Sequence, residues 1–567
     1  MTVLNEILCK RRNRLIISAL FNILLIILYM YLYSPSYETN DDSGIISIAS
    51  GIKGFQDAHV IYSHYYLGKL YVFLFSVVPE IPWVCVIQYV VLFLAFTSIT
   101  SVLLGRLGSP AYILMVFALV AAFGYEGYVH IQFTKTAAFA MTAGLVIIMG
   151  ELFAEKISPI VMIPGLLIFW IGFMYRNQQF IVMIAILSSL VLYFFMILPE
   201  LGGRDRRKCL KRAGAAILAA GILFAGTAGL FLTDRIHYTS DEWVSFGEYN
   251  AARTEILDYG IPDFDENRDR YEEIGIDKTA YSLLKHWNFQ DKKKFTTSTF
   301  QTIASWKEKP TVDKGFVKTY LKELFSGLKK KKVFWIFGIV AFGWIICGRH
   351  RIRELLTLAY CVAMILALYG YLFYMNRFLV HRVDVGIWFA AIIVVIWLYR
   401  RSVPLRGAIV GLVLAITGTF CTVTSWSDWW RVNTADSETK TKTEREFIEM
   451  IHQDQDHLYL STVGNVSFHK AYGLFEQAPF GMGSNIFGLG GWPAQTPAYQ
   501  SVLERYDIDN PYPEMIDNKD VYLVDDDIDS TLNYLRRWYD KNASAKLIRK
   551  VGDHRIYQIT TEKKDDQ

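Results

Sequence analysis

The stretch KRRNRLIISALFNILLIILYMYLYSPSYETNDD (Lys10–Asp42) runs from a basic cluster through an apolar span into an acidic cluster. Leu15–Tyr33 is long enough to cross a bilayer as a helix. No small-residue cleavage site follows it, so the segment reads as a retained anchor. Lys10, Arg11, Arg12 and Arg14 precede the span, and basic residues favour the cytoplasmic side, which places the N-terminus there. Glu38, Asp41 and Asp42 are then expected just outside, at the membrane–water boundary.

The rest of the composition fits this start. Of 567 residues, 53% are hydrophobic, and the mean hydropathy is +0.24. Such values exclude an ordinary soluble protein. A net charge of +4 is informative only through its distribution, and no basic stripe suited to nucleic acid is present. Cys9, Cys85, Cys209, Cys347, Cys361 and Cys421 lie in or beside apolar segments, without CxxC or Cys/His metal spacing.

Apolar runs of roughly 16–22 residues predict spans near 15–33, 83–104, 110–125, 135–153, 157–175, 180–198, 213–232, 333–348, 355–375, 383–399 and 405–425. The run Tyr65–Val78 is short and closed by VPEIP. Laid flat at the interface, it leaves GGRDRRKCLKR (202–212), GRHRIR (348–353) and RRSVPLR (400–406) on the cytoplasmic side with the N-terminus. The expected fold is therefore an α-helical polytopic membrane protein of about eleven transmembrane helices. A helical loop insertion and a C-terminal extracytoplasmic α/β domain face outward.

The expected divisions are a transmembrane core at 1–232 with its first outer loop at 34–82, a polar insertion at 233–332, further spans at 333–426 and a soluble region at 427–567. In that last region, TEREFIEMIHQ predicts a helix, HLYLSTV and DVYLVDDD strands, STLNYLRRWYDKN a helix, and AKLIRKVGDHRIYQIT a hairpin turning at Gly552. Alternating helix and strand predict a partly parallel sheet. The lysine run 329–332 falls on the outer side, against the charge rule, where lipid phosphates are one partner for it.

Asp41 and Asp42 are the candidate general bases. The alternative is a purely local role, with Asn40 or Asp41 capping a helix through SGIISIASGI. In the second outer loop, GYEGYVHIQFTKT offers Glu126, His130 and Lys135. Wound as one helix, it would set Glu126 and His130 on one face. Lys135 is placed to hold a phosphate at headgroup level or to snorkel. Arg176 in YRNQQ, and Arg377, His381 and Arg382 in YMNRFLVHRVD, add cations on the same side. A phosphate joining a sugar to a lipid would match them, since arginine grips such oxygens bidentately. Asp258 and Tyr259, before Gly260, read chiefly as a helix end. Asp525–Asp527 imitate a metal-binding acid motif but read as a solvated strand end. GMGSNIFGLGGW (481–492) lacks the GK[ST] of a phosphate loop and reads as a turn-rich loop, with Trp492 and Pro493 able to line a sugar. No Walker A, GxSxG or HExxH sequence is present.

An acidic loop straight after the first span, then a flat juxtamembrane helix and further spans, resembles the GT-C superfamily of membrane glycosyltransferases. YETNDD matches its acidic position and SHYYLGKLYVFLFSVVP its juxtamembrane segment. His64-Tyr65-Tyr66 stands where aminoarabinose and protein mannosyl transferases carry an HPP-like motif. The resemblance follows the order of elements over residues 10–230. It implies a polyprenyl-phosphate-linked sugar donor and an envelope glycan or lipid-linked acceptor at the outer face of a bacterial membrane. Asp41 or Asp42 would take the acceptor proton, and Glu38, His64, Glu126, His130, Lys135, Arg176, Arg377 and Arg382 would contact substrate. No metal is required by this scheme, although the acid pair could hold a divalent cation. A many-span polysaccharide polymerase is a neighbouring alternative. A flippase of lipid-linked oligosaccharide, or a non-catalytic scaffold, are alternatives of another class.

Overall fold

The computed structural model describes residues 7–106, 110–203, 205–308, 310–347, 351–377, 379–399 and 435–561. After the long apolar helix α1 (Arg11–Leu32) come a two-residue strand β1 (Ser36–Tyr37) and helix α2 (Asn40–Ala49). Helices α3 (Tyr65–Val77), α4 (Trp83–Arg106) and α5 (Pro110–Tyr128) follow, then β2 (His130–Ile131). Helices α6 (Phe133–Leu152), α7 (Pro159–Tyr175), α8 (Gln179–Leu201) and α9 (Arg206–Ile236) complete the first part of the bundle. The polar insertion holds α10 (Asp241–Leu257), α11 (Lys278–Lys285), α12 (Thr297–Ser305) and α13 (Lys314–Leu328). The chain then returns to the bundle through α14 (Lys332–Cys347), α15 (Ile352–Tyr374) and α16 (His381–Leu398).

Among the described residues seven helices are long and apolar enough to cross a membrane: α1, α4, α6, α8, α9, α15 and α16. Four more are apolar but shorter, in α3, α5, α7 and α14. The expected span at 405–425 lies outside the described residues. Burial orders the bundle, since α6 is 94% buried over its apolar window and α16 83%, against 22% for α1, α9 and α15. Small residues explain the central place of α6. A Cβ on Gly144 would fall 2.5 Å from Gly165 O on α7, so only glycine allows the two backbones to approach this closely.

Helix α3 spans 13 residues, about 20 Å at the α-helical rise, which is short of a bilayer core of about 30 Å. Leu67, Tyr71 and Phe75 face the bundle, while Tyr66, Leu70, Phe73 and Val77 form an exposed apolar stripe. That pattern suits a helix lying along an interface.

Basic residues flanking the described helices gather at one end of the bundle, while the basic loop 400–406 lies outside the described residues. Arg11 pairs with Glu151 at 3.6 Å, Arg106 stacks on Trp397 at 4.0 Å, Arg212 donates to Leu152 O at 2.8 Å, and Arg351 and Arg353 both reach Glu200. The lysine run finds a protein partner at the opposite end. Lys331 Nζ lies 3.0 Å from Asp384 Oδ2, and the buried Asp384 also accepts from Tyr369 at 3.0 Å.

A cap covers this second end. From α17 (Ala435–Gln453) the chain runs through β3 (Leu458–Ser461), β4 (Ile486–Gly488) and α18 (Pro497–Glu504), then β5 (Val521–Val524), α19 (Ile528–Trp538), β6 (Ser544–Val551) and β7 (His554–Thr560). The sheet order is β4-β3-β5-β7-β6, with β4, β3 and β5 parallel and β7 and β6 antiparallel, the β6–β7 hairpin turning at Gly552. The sequence expectation of a partly parallel sheet matches this arrangement. Strand β4 was not expected, because it lies inside the glycine-rich stretch read as a loop. The insertion and the C-terminal region share one hydrophobic core, in which Ile256, Leu284 and Phe300 meet Leu460, Phe487 and Leu535.

The cap clasps the first loop of the bundle. Gly481 N and Gly483 N donate to Gly51 O and Ile52 O at 2.8 Å, and Lys53 Nζ donates to Ile486 O at 2.9 Å. Gly51 has φ +87°, and a Cβ there would run into the Phe480 ring. Gly51→Ala is therefore expected to cost about 1–3 kcal/mol, from left-handed strain and overpacking. A lowered thermal midpoint of the detergent-solubilised protein, with faster proteolytic release of the cap, checks this.

Candidate functional site

Two extended residues on each side tie the loop after α1 to the loop after α5. Ser36 pairs with His130 and Tyr37 with Ile131 in a parallel bridge, and Glu38 N donates to Ile131 O at 3.0 Å. This pairing ends α5 at Tyr128, so Glu126 and His130 do not share one helix as the sequence suggested. His130 instead meets the Tyr125 hydroxyl at 2.9 Å, and burial lowers its pKa.

Lys135, third residue of α6, is fully buried. Its Nζ lies 2.6 Å from Glu38 Oε2 and 3.0 Å from Glu126 Oε2. His381 Nε2 approaches the same Glu126 oxygen at 3.2 Å. Four chain segments thus converge on one ion-paired centre. Lys135 neither snorkels nor stands free to hold a phosphate, because its charge is spent on two carboxylates. Ligand atoms of Glu38, Glu126 and His381 lie within 4.8 Å of one another, a spacing that suits a divalent cation. The Lys135 ammonium sits between the two carboxylates and already supplies the positive charge.

The two candidate bases part company within one helical turn. Helix α2 starts at Asn40 with Thr39 at its N-cap position, which puts Asp41 and Asp42 in the first turn, where the helix dipole favours acids. Asp42 points inward and is fully buried, its Oδ1 accepting from Gln88 Nε2 at 2.7 Å and from Phe133 N at 3.2 Å. Burial pushes its pKa up to about 7. Asp41 points the other way, keeps 17% of its side chain exposed, and faces Arg382 at 3.6 Å.

Asp41 borders a basin rich in guanidinium groups. Arg176 lies between the rings of Tyr62 and Phe133, at 4.7 and 5.2 Å, and burial brings its pKa down to about 10. It feels the charges of Arg382 and Arg377 as well as that of Asp41. Arg377 stacks over Tyr259 at 5.4 Å. Among the described residues neither Arg176 nor Arg377 pairs with a carboxylate. From the cap, Arg253 stacks over Trp287 at 5.2 Å and meets Asp258 at 3.5 Å, while its buried NH1 has no hydrogen-bond partner among the described residues. Tyr62 feels Arg253, Asp258, Arg176 and Asp41 together, and Trp492 lies against it at 4.9 Å.

Two sequence candidates fall elsewhere. His64 caps α3, accepting from Tyr66 N at 3.1 Å, and contacts Leu230 O at 2.8 Å, so it fastens α3 to α9. Asp525 is only 3% exposed and accepts from the Thr462 and Thr531 hydroxyls, so the end of β5 is buried and hydrogen-bonded there, not solvated as the sequence suggested. Arg253, Tyr62 and Trp287 join the basin without any motif to announce them.

Asp42 gives a signed pH prediction. Its folded pKa stands above the unfolded value near 3.9, so the folded state holds the proton more tightly. That stability is present below about pH 4 and is lost as pH rises through about 7. The thermal midpoint of the unaltered protein is expected to fall between pH 4 and 8, and Asp42→Asn should flatten that fall. Lys135→Met leaves two half-buried carboxylates facing each other, and a loss of about 3 kcal/mol is expected, read as a fall in the folded fraction at neutral pH.

No family model, curated protein or solved structure matches this chain.

Proposed function

We propose that the protein is a membrane glycosyltransferase that moves a sugar from a polyprenyl-phosphate-linked donor to an envelope glycan or a lipid-linked acceptor. The bundle would stand with its basic end in the cytoplasm and its cap outside, as the positive-inside rule favours. The carrying observation is the surplus of guanidinium over carboxylate around Asp41. Among the described residues, the carboxylates that face Arg176, Arg377, Arg382 and Arg253 are those of Asp41 and Asp258. Excess charge in a half-buried place is stable when an anion completes it. A lipid phosphate at headgroup level is such an anion.

In this reading Asp41 is the general base. Its carboxylate takes the proton of the acceptor hydroxyl as that oxygen attacks the anomeric carbon. The bond from the anomeric carbon to the phosphate oxygen breaks, and the phosphate leaves with its electron pair. Arg176 and Arg377, unpaired with acid before substrate arrives, stabilise the charge growing on that oxygen. Asp42 is excluded as base by its enclosure and supports the helix turn that presents Asp41.

The ionisable residues of the apolar helices argue against a transport path through the bilayer. Glu126, Lys135, Glu151, Glu354 and Asp384 all lie within a turn or so of a helix end, not at mid-span.

Replacing Asp41 by Asn should lower transfer by roughly 10²–10⁴-fold, and Arg176→Gln by about 10²–10³-fold. Mass-spectrometric profiling of envelope glycans in the host, with membrane abundance followed by immunoblot, reads both. A glycan profile unchanged by Asp41→Asn, beside a clear change in the deletion strain, would sink the reading.

A further inference from the structure

A second recess lies in the cap, away from the arginines. It is an open cleft of about 900 Å³ between α10 and α18, in the upper part of the roughly 300–1,000 Å³ that ligand sites occupy. Trp243, Phe246 and Tyr249 form its apolar wall, and Gln495 and Gln500 supply amides. Gln500 Nε2 donates to Ala494 O at 2.6 Å, but its enclosed Oε1 accepts no hydrogen bond among the described residues.

The charge of the cleft is opposite to that of the basin. Glu242, Glu504 and Asp507 line it, and none of their carboxylates has an ion pair or hydrogen bond among the described residues. The one lining cation, Lys292, is held by Asp509 at 2.9 Å. A phosphate or a uronic acid would be repelled here. The rings are largely buried, Trp243 being stacked on His59 at 4.2 Å, so they border the cleft with the small apolar margins they leave exposed. With the unpaired carboxylate oxygens beside them, these margins suit the two sides of a pyranose. The aromatic wall takes its C–H face, and the oxygens take its hydroxyl or amine hydrogens.

One face of α10 joins the wall of the cleft to the basin. Glu242, Phe246, Tyr249 and Arg253 recur at i, i+4, i+7 and i+11 on α10, which is one stripe of the helix. From Glu242 to Arg253 that stripe runs about 16 Å, from the cleft to the guanidinium cluster beside Asp41.

We propose that this cleft binds the acceptor as a saccharide chain, neutral or bearing amino sugars, and feeds its end along α10 to Asp41. The assignment rests on the glycosyltransferase reading for the word acceptor. Binding in the cleft does not depend on turnover.

The test is equilibrium binding to the full-length protein in nanodiscs, read by tryptophan fluorescence and by calorimetry. The probes are maltotetraose, cellotetraose, chitotetraose and its de-N-acetylated form, with tetragalacturonate as the anionic counter-probe. At least one neutral or amino-sugar probe should saturate, and tetragalacturonate should not. Ser245→Trp, at an exposed position on the cleft wall, and Gln500→Leu should each weaken that binding by about tenfold or more. Both should keep the thermal midpoint of the parent protein. Should Ser245→Trp fail to fold, Gln500→Leu alone decides. Asp41→Asn should bind the probe as the parent does. Absence of saturation by every neutral and amino-sugar probe, equal binding of tetragalacturonate, or binding indifferent to both variants overturns the proposal. Failure of the cleft with glycan loss in Asp41→Asn removes the cleft and keeps the transferase. Cleft binding with an unchanged glycan profile in Asp41→Asn keeps a saccharide site and removes the transferase.

Discussion

An ammonium buried in an apolar bundle is tolerable only where carboxylates meet it, and the carboxylates that meet Lys135 come from different places in the chain. Glu38 arrives on the loop after α1, Glu126 on the last turn of α5, and His381 adds a contact from the start of α16. Removing Lys135 leaves both carboxylates uncompensated at a cost of several kcal/mol. The pair therefore specifies more than it stabilises. It fixes where β1 runs beside β2, and so where α2 begins. Asp41 and Asp42 take their orientations from that starting point.

The cap adds a second constraint on the same loop. Backbone bonds from Gly481 and Gly483 hold residues 51 and 52, and Arg505 donates to Lys53 O at 2.9 Å. Between the Lys135 centre at one end and the clasp at the other, α2 has little freedom to turn or slide. A general base has to be held near its proton, and a base on a loop is held by what grips the loop. Here the grip comes from the bundle on one side and the cap on the other, which gives the cap a mechanical reason to sit over this end.

Apolar runs and basic loops made the bundle legible, because both are local properties that survive without knowledge of contacts. Helices α17 and α19 of the C-terminal region, its hairpin and the β3 and β5 strands were legible for the same reason, whereas α18 was not expected. Strand β4 was hidden because IFG sits among glycines and owes its extension to pairing with β3. Lys135 was misread because an isolated lysine at a helix start looks like a headgroup anchor until its partners, nine and ninety-seven residues away, are placed. Arg253 and Tyr62 were silent because an arginine in an amphipathic helix and a tyrosine in a loop carry no spacing signal. The position of the acidic cluster was readable from charge and hydropathy, but the division between Asp41 and Asp42 was not, since adjacent residues diverge only once a helix start fixes their directions.

In the proposed reading, that division carries the chemistry. Successive residues in a helix point about 100° apart, so one turn can send one carboxylate into a dry core and its neighbour toward a wet, cationic basin. Asp42 meets Gln88 and a backbone N–H and is held in place, while burial makes its ionisation costly. Among the described residues Asp41 pairs with Arg382 alone, and 17% of its side chain stays exposed to an approaching hydroxyl. Two identical side chains, one residue apart, are thereby given different work. Around Asp41 the basin keeps more guanidinium than carboxylate, while the cleft on the other part of α10 keeps more carboxylate than cation. A molecule with a phosphate at one end and sugar rings at the other would be drawn to the two regions in opposite orientations. A lipid-linked donor and a saccharide acceptor, approaching from membrane and cap respectively, would meet at Asp41 with their reactive ends facing.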